Sequence, residues 1–183
     1  METIKFVFDI NVYVNVASAP PKNTLACFSV IAENPNFRLI ASEFITGKAI
    51  DVLTEKVLNS KIIYSEKRLE QFKSLLIAFE NRSKLIYQDI GDPLGATIGD
   101  LEPEDSHIYN LARKSGASII VTSDSDFERV RNFDRSIAII SPARFIKLTS
   151  PKPPTKPSPG LQFGMNPLNF QPPSQDLGFG RQI

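Results

Sequence analysis

Two hydrophobic periods alternate along the chain. Short, nearly continuous apolar runs of strand length predict strands at residues 4–8 (IKFVF), 37–41 (FRLIA), 84–87 (KLIY), 119–121 (IIV) and 136–140 (SIAII). Between them, apolar residues recur every three or four positions, as on one face of a helix. Helix signals punctuate these stretches. Asn23 can cap a helix that runs to about Asn34, where Asn-Pro ends it. Ser42 caps EFITGKAIDVLTEKVL, and Ser65 caps EKRLEQFKSLLIAFE, whose Leu69, Phe72, Leu75, Leu76 and Phe79 keep helical spacing. Pro103 suits the first turn of the next helix and Gly116 its end. A short helix is expected from about Ser125 to Arg131, and Ser141-Pro142 begins the last one. Strands alternating with helices predict an α/β domain over residues 1–150, with a parallel sheet covered on both faces.

From Pro151 the pattern stops. PKPPTKPSPG is followed by sparse apolar residues among Gly, Pro, Asn and Gln, so residues 151–183 are expected to be a Pro-rich, disordered tail and not a second domain. Leu-x-Phe recurs there at Leu161, Leu168 and Leu177, as a biased composition alone can produce. Inside the domain, the acid- and glycine-rich loop 88–102 has a length that often accompanies function.

Composition narrows the chemistry. The chain has 183 residues, enough for one domain with a sizeable core, and its apolar runs are too short to span a membrane. It enters its first strand with no charged and apolar leader, which gives the expectation of a cytoplasmic protein. One cysteine, Cys27 within LACFSVIA, precludes an intramolecular disulfide and reads as a packed thiol. One histidine and one cysteine do not suffice for a Cys/His zinc site. The net charge is +1, and Lys152, Lys156 and Arg181 against Asp176 leave residues 1–150 with 18 basic and 19 acidic side chains. Such a domain lacks the basic footprint that holds nucleic acid by charge alone, so nucleic acid would be held locally, by a bound cation or a few arginines.

The acids carry the chemistry. Asp9 follows the first strand, with Asn11 beside it; Asp124 and Asp126 follow the fourth; Asp105 lies in the first turn of the helix before that strand. Each has a structural reading as turn former, cap or partner of a helix dipole. Together they fall where the strand and helix ends of a parallel sheet face a crevice. Clustered carboxylates repel unless a cation compensates, and oxygen donors suit Mg²⁺ or Mn²⁺, ions used where phosphate reacts. Bound there, such ions polarise a phosphoryl oxygen and activate water. His107 reads as a surface or cap residue, and Ser42, Thr122 and Ser123 have no evident activating base.

FVFDINVYV, RLIASEFITGKAIDVL, EDSHIYNLARKSGASIIVTSDSDF and SIAIISPARFIKL together resemble PIN-domain nucleases, specifically the single-domain VapC-like toxins, over about residues 4 to 148. The resemblance implies a three-layer fold around a five-stranded parallel sheet. It also implies a Mg²⁺- or Mn²⁺-dependent ribonuclease, often neutralised by a cognate antitoxin. By position, Asp9, Asp105 and Asp124 match the family's metal-binding acids. Asp126 matches its frequent second acid, Asn11 the polar neighbour of the first, and Thr122 its hydroxyl residue. One position departs: Lys48 stands where the family commonly has a glutamate, and Glu43, Asp51 or Glu104 are the acids nearby that could stand in. Expected partners are RNA, an antitoxin and a second copy of the chain. The alternative is a PIN scaffold that binds RNA or a protein without chemistry, with Lys48 replacing the metal's charge. Arg113, Lys114, Arg129 and Arg131 are candidates for touching an RNA backbone. A phosphoacceptor domain fits poorly, because FDIN supplies one acid where that architecture wants two.

Overall fold

The computed structural model describes residues 2–17, 23–59, 65–91, 98, 101–132 and 134–149. The expected tail, 151–183, and part of the loop 88–102 lie outside the described residues. Five parallel strands form one sheet in the order β3-β2-β1-β4-β5: β1 Ile4–Phe8, β2 Phe37–Ala41, β3 Leu85–Tyr87, β4 Ile119–Val121 and β5 Ala138–Ile140. The helices are α1 Ile10–Val16, α2 Asn23–Glu33, α3 Glu43–Asn59, α4 Glu66–Asn81, α5 Pro103–Ser115 and α6 Pro142–Thr149. The crossovers from β1 to β2 and from β3 to β4 run in opposite directions across the sheet. Right-handed connections therefore set α2 and α5 on opposite faces, which gives the three layers.

Both faces of β1 are buried from Phe6 to Phe8, which is why FVF is continuously apolar rather than alternating. Phe6 and Phe8 point into an aromatic layer. Phe8 meets Phe28 at 5.2 Å and Tyr13 at 6.1 Å between ring centroids, and Phe6 meets Phe145 at 5.1 Å. Phe28 passes the contact on to Phe79 of α4 at 5.3 Å. Each fully buried ring contributes about 1.5–3 kcal/mol by its removal from water. Cys27 is buried in α2 as expected, with its Sγ 3.7 Å from the Pro142 carbonyl, and burial pushes its thiol up to about 12.

Four local expectations need correction. The pattern predicts no element at residues 10–16, yet they form α1. INVYVNV is poor in helix formers, but Val12, Tyr13 and Val16 are buried, and α1 packs on α2 and α3; tertiary contacts override weak propensity. The helix expected from Ser125 to Arg131 is a 3-10 helix, Asp126–Asn132. β5 starts at Ala138 and not at Ser136, because Asp134 Oδ1 takes both the N–H and the hydroxyl of Ser136 at 2.8 and 2.6 Å and bends the chain. Lys84 lies just outside β3.

Candidate active site at the carboxyl edge of the sheet

Strands β1 and β4 are neighbours, but the chain leaves β1 toward β2, on the other side. This reversal opens a crevice beyond the strand ends. Phe8 pairs with Val121, and the Asp9 N–H donates to the Val121 carbonyl at 3.0 Å, so the residues that follow emerge side by side. The Thr122 hydroxyl donates to Asp9 Oδ2 at 2.6 Å and accepts the Asp124 N–H at 2.8 Å. Asp124 Oδ1 in turn accepts the Asp126 N–H at 2.9 Å. One threonine thus ties the ends of both central strands. Asp9 stands at the N-cap of α1 without a side-chain cap bond, which leaves its carboxylate for Thr122 and, at 3.4 Å, for the Asn11 amide.

The first turn of α5 brings the remaining acids. Pro103 begins that helix and Gly116, at φ 69°, ends it in the left-handed conformation. Asp9, Asn11, Asp105, Asp124, Asp126, Glu102 and Glu104 line one cavity of about 610 Å³. Asp9 is only 3% exposed; burial raises its pKa first, with the Asp124 charge adding to it, while Thr122 and the backbone amides of Asn11 and Ile10 pull it down. Asp105 is pushed up to about 7 by burial, and then by the charges of Asp9, Asp124, Asp126 and Glu102. The α5 dipole, worth about 0.3–1 kcal/mol to an acid in the first turn, does not offset this repulsion.

All of these donors are oxygens, and the most strongly acting neighbours of Asp105 are negative, so the chemistry of the set fits a hard divalent cation. As they stand, the side chains do not form a closed shell. Among the described residues no three acidic, histidine or cysteine side chains are gathered on one point.

Lys48 does not point its charge at the three aspartates; its Nζ bonds Glu104 at 2.8 Å, on a side chain 41% exposed. That bond, then the Glu104 and Asp51 charges, holds the ammonium above its usual range despite a small opposing effect of burial. Asp51 is exposed on α3 and Glu43 lines a different cavity, so neither joins the cluster. Of the basic candidates, Arg113 stacks over Tyr109 at 5.9 Å, Lys114 bonds the Ile90 carbonyl at 2.6 Å, and Arg129 pairs with Asp126 at 3.6 Å. The side chain of Arg131 lies outside the described residues.

His107 is not a surface residue. It is 2% exposed, with Nε2 2.7 Å from the Ser42 hydroxyl and its ring 4.6 Å from that of Phe44. Ser42 therefore has a histidine beside it after all. Its Oγ also accepts the Ile45 N–H at 3.3 Å, as the cap of α3. A usable signal existed: His107 lies four residues before buried Leu111, on the apolar face of α5.

No protein-family model matches the chain, and no curated protein matches it. The chain is similar to one in the crystal structure of VapBC2 from Rickettsia felis bound to a DNA fragment from their promoter. That similarity has a TM-score of 0.47 at 18% identity and covers 75% of this chain and 98% of the other. At this distance, what the chain does is read from its own residues.

Proposed function

We propose that the acidic crevice is the active site of a metal-dependent endoribonuclease. Asp9, Asp105 and Asp124 would hold Mg²⁺ or Mn²⁺, and Asp126 would complete the acidic wall. The observation that carries this is the convergence of Asp9, Asp105, Asp124 and Asp126 on one cavity at the sheet's switch point, where burial and like charges raise the Asp105 pKa. When bound, the ion supplies positive charge to a phosphodiester's oxygens and lowers the pKa of a water. The chain's own residues set the stage. Thr122 fixes the Asp9 carboxylate and the Asp124 backbone at once, and the Asn11 amide donates to the same Asp9 oxygen, Oδ2. In-line attack of water would leave a 5′-phosphate and a 3′-hydroxyl. The role of toxin in a toxin–antitoxin pair, with a cognate antitoxin as partner, rests on the sequence resemblance. Among the described residues no helix is long and apolar enough to cross a membrane.

The scaffold reading needs Lys48 to neutralise the aspartates. Its ion pair with Glu104 at the rim speaks for the enzyme instead. Purified protein is expected to cleave single-stranded RNA with Mg²⁺ or Mn²⁺, and EDTA to stop it. Asp124→Asn should cost more than the roughly 10–100-fold typical of losing a group outside the ligand shell. A wild type silent with both ions on several RNAs, yet still binding them, would replace the enzyme with the scaffold.

A further inference from the structure

A second cavity, of about 440 Å³, opens on the same sheet edge, beyond β2 and β3 instead of β1 and β4. Ala41 pairs with Tyr87, and the Gln88 N–H donates to the Ala41 carbonyl at 2.8 Å, so Ser42 and Gln88 leave the sheet side by side. The strap that follows is fastened at two points. Asp89 Oδ1 accepts the Gly91 N–H at 2.8 Å, closing a turn that Gly91 completes at φ 83°. Lys114 of α5 then holds the Ile90 carbonyl at 2.6 Å. Against the opposite side sit the buried His107 ring, bonded to Ser42, and the Phe44 ring packed on it. Tyr87, 38% exposed, stands at the opening.

The lining includes the rings of Phe44 and Tyr87 and carboxylate and amide acceptors, with the buried His107 ring behind Phe44. Neither lysine nor arginine lines it. A phosphate therefore does not belong here, whereas a flat heterocycle does; the volume lies within the ~300–1,000 Å³ of small-molecule sites. Single-stranded RNA is read by stacking of splayed bases on such rings and by hydrogen bonds to their edges. Carboxylates accept from an exocyclic amine. Position supplies the link to the acidic crevice. Phe44, Lys48 and Val52 follow one another at four-residue steps on one face of α3. Phe44 lines this cavity and Val52 the acidic one, about 12 Å apart at 1.5 Å per residue. A single strand covers that in about two to four nucleotides, at ~3.4 Å per phosphate when stacked and more when extended.

We infer that the Phe44–Tyr87–His107 cavity receives one base of the bound RNA, preferring amine-bearing bases, a few nucleotides from the phosphodiester at the acids. This rests on the reading that the acidic crevice receives an RNA backbone.

Anisotropy of short, end-labelled single strands on the full-length wild type, with Ca²⁺ in place of Mg²⁺ or Mn²⁺ at the oxygen donors, reads binding rather than cleavage. Cytosine or adenine oligomers should bind about tenfold tighter than an abasic strand of equal length, as base–aromatic stacking predicts. Uracil oligomers should fall between them. Tyr87→Ala should erase most of the advantage over the abasic strand, and Glu43→Gln the preference over uracil, both with unchanged melting temperature. Equal binding of based and abasic strands by wild type overturns the inference, whatever the variants do. Cleavage assays on the same preparation keep the two readings apart. RNA cleavage without base-dependent binding removes the pocket and leaves the nuclease, while base-dependent binding without cleavage removes the nuclease and leaves the pocket.

Discussion

Two crevices open on one edge of one sheet, and their pairing is equivalent: Phe8 opposite Val121 in one, Ala41 opposite Tyr87 in the other. Beyond the first pair the chain places acids, and the helix that closes the crevice adds another. Beyond the second it places a serine, and the same helix, two residues further on, adds a histidine that bonds it. In this second crevice the Ser42 hydroxyl and the His107 ring bond each other and the His107 and Phe44 rings pack together. The acidic one holds Asp105 well above its ordinary pKa with like charges around it. Identical backbone geometry thus supports a settled site and a frustrated one, and the frustrated one lies where the strand order reverses. Polar groups that lower stability in the free protein are expected where a ligand is to restore it.

The largest effect should come from the settled side. His107→Ala removes a buried ring from against Phe44 and takes the partner from the Ser42 hydroxyl. A cost of roughly 2–4 kcal/mol follows from the cavity and the lost bond, read as a lowered denaturant midpoint. A variant as stable as wild type would show that the Ser42–His107 crevice is not holding α5 to α3, and the contrast would collapse.

On the frustrated side the sign reverses. Asp105 has a folded-state pKa of about 7 against an ordinary value of 3.8, so between those values the folded chain holds the proton more tightly than the unfolded one. Stability therefore falls as pH rises through this window, and the penalty is absent below about pH 4. Asp105→Asn should raise the melting temperature at pH 8 and leave it unchanged at pH 4. The gain should be of order 1–2 kcal/mol once partial solvent screening is allowed for. Mn²⁺ should stabilise wild type more at pH 8 than at pH 5 and lose much of that effect in the variant. Destabilisation by Asp105→Asn at pH 8 would mean the carboxylate is a structural cap.

Much of this was readable in the chain, and the remainder fails for identifiable reasons. β1, β2 and β4 fall on the expected residues, because the stretches buried on both faces, 6–8, 39–41 and 120–121, are written as apolar runs. Pro103 and Gly116 bracket α5 as their backbone preferences require. The acids at element ends were visible as a pattern, and the structure sets Asp9, Asp105 and Asp124 around one cavity. INVYVNV was not legible as a helix, since its β-branched residues lack helix preference and only burial against α2 and α3 selects that state. The Ser42–His107 bond joins residues 65 apart, a separation that no local spacing rule reaches.

The smallest effect concerns Lys48, which stands between the two crevices on α3. Its pair with Glu104 is solvent-exposed on both sides, at 41% and 42%, and such pairs contribute little to stability. Lys48→Met should therefore leave the melting temperature essentially unchanged. What it should change is charge at the acidic rim: Glu104, released from its ammonium, adds its full negative field to a cavity already rich in carboxylates. Mn²⁺ affinity by calorimetry is expected to rise by up to about tenfold, with Lys48→Glu above Lys48→Met because it adds an acid as well as removing a base. Base binding at the Ser42–His107 crevice should not move in either variant, since Lys48 does not line it. If both substitutions leave Mn²⁺ binding unchanged while the aspartates still bind it, the rim lies outside the ion's reach and the contrast narrows to the strand ends. If Lys48→Met weakens Mn²⁺ binding, Lys48 positions Glu104 for the ion, and the ion pair belongs to the site.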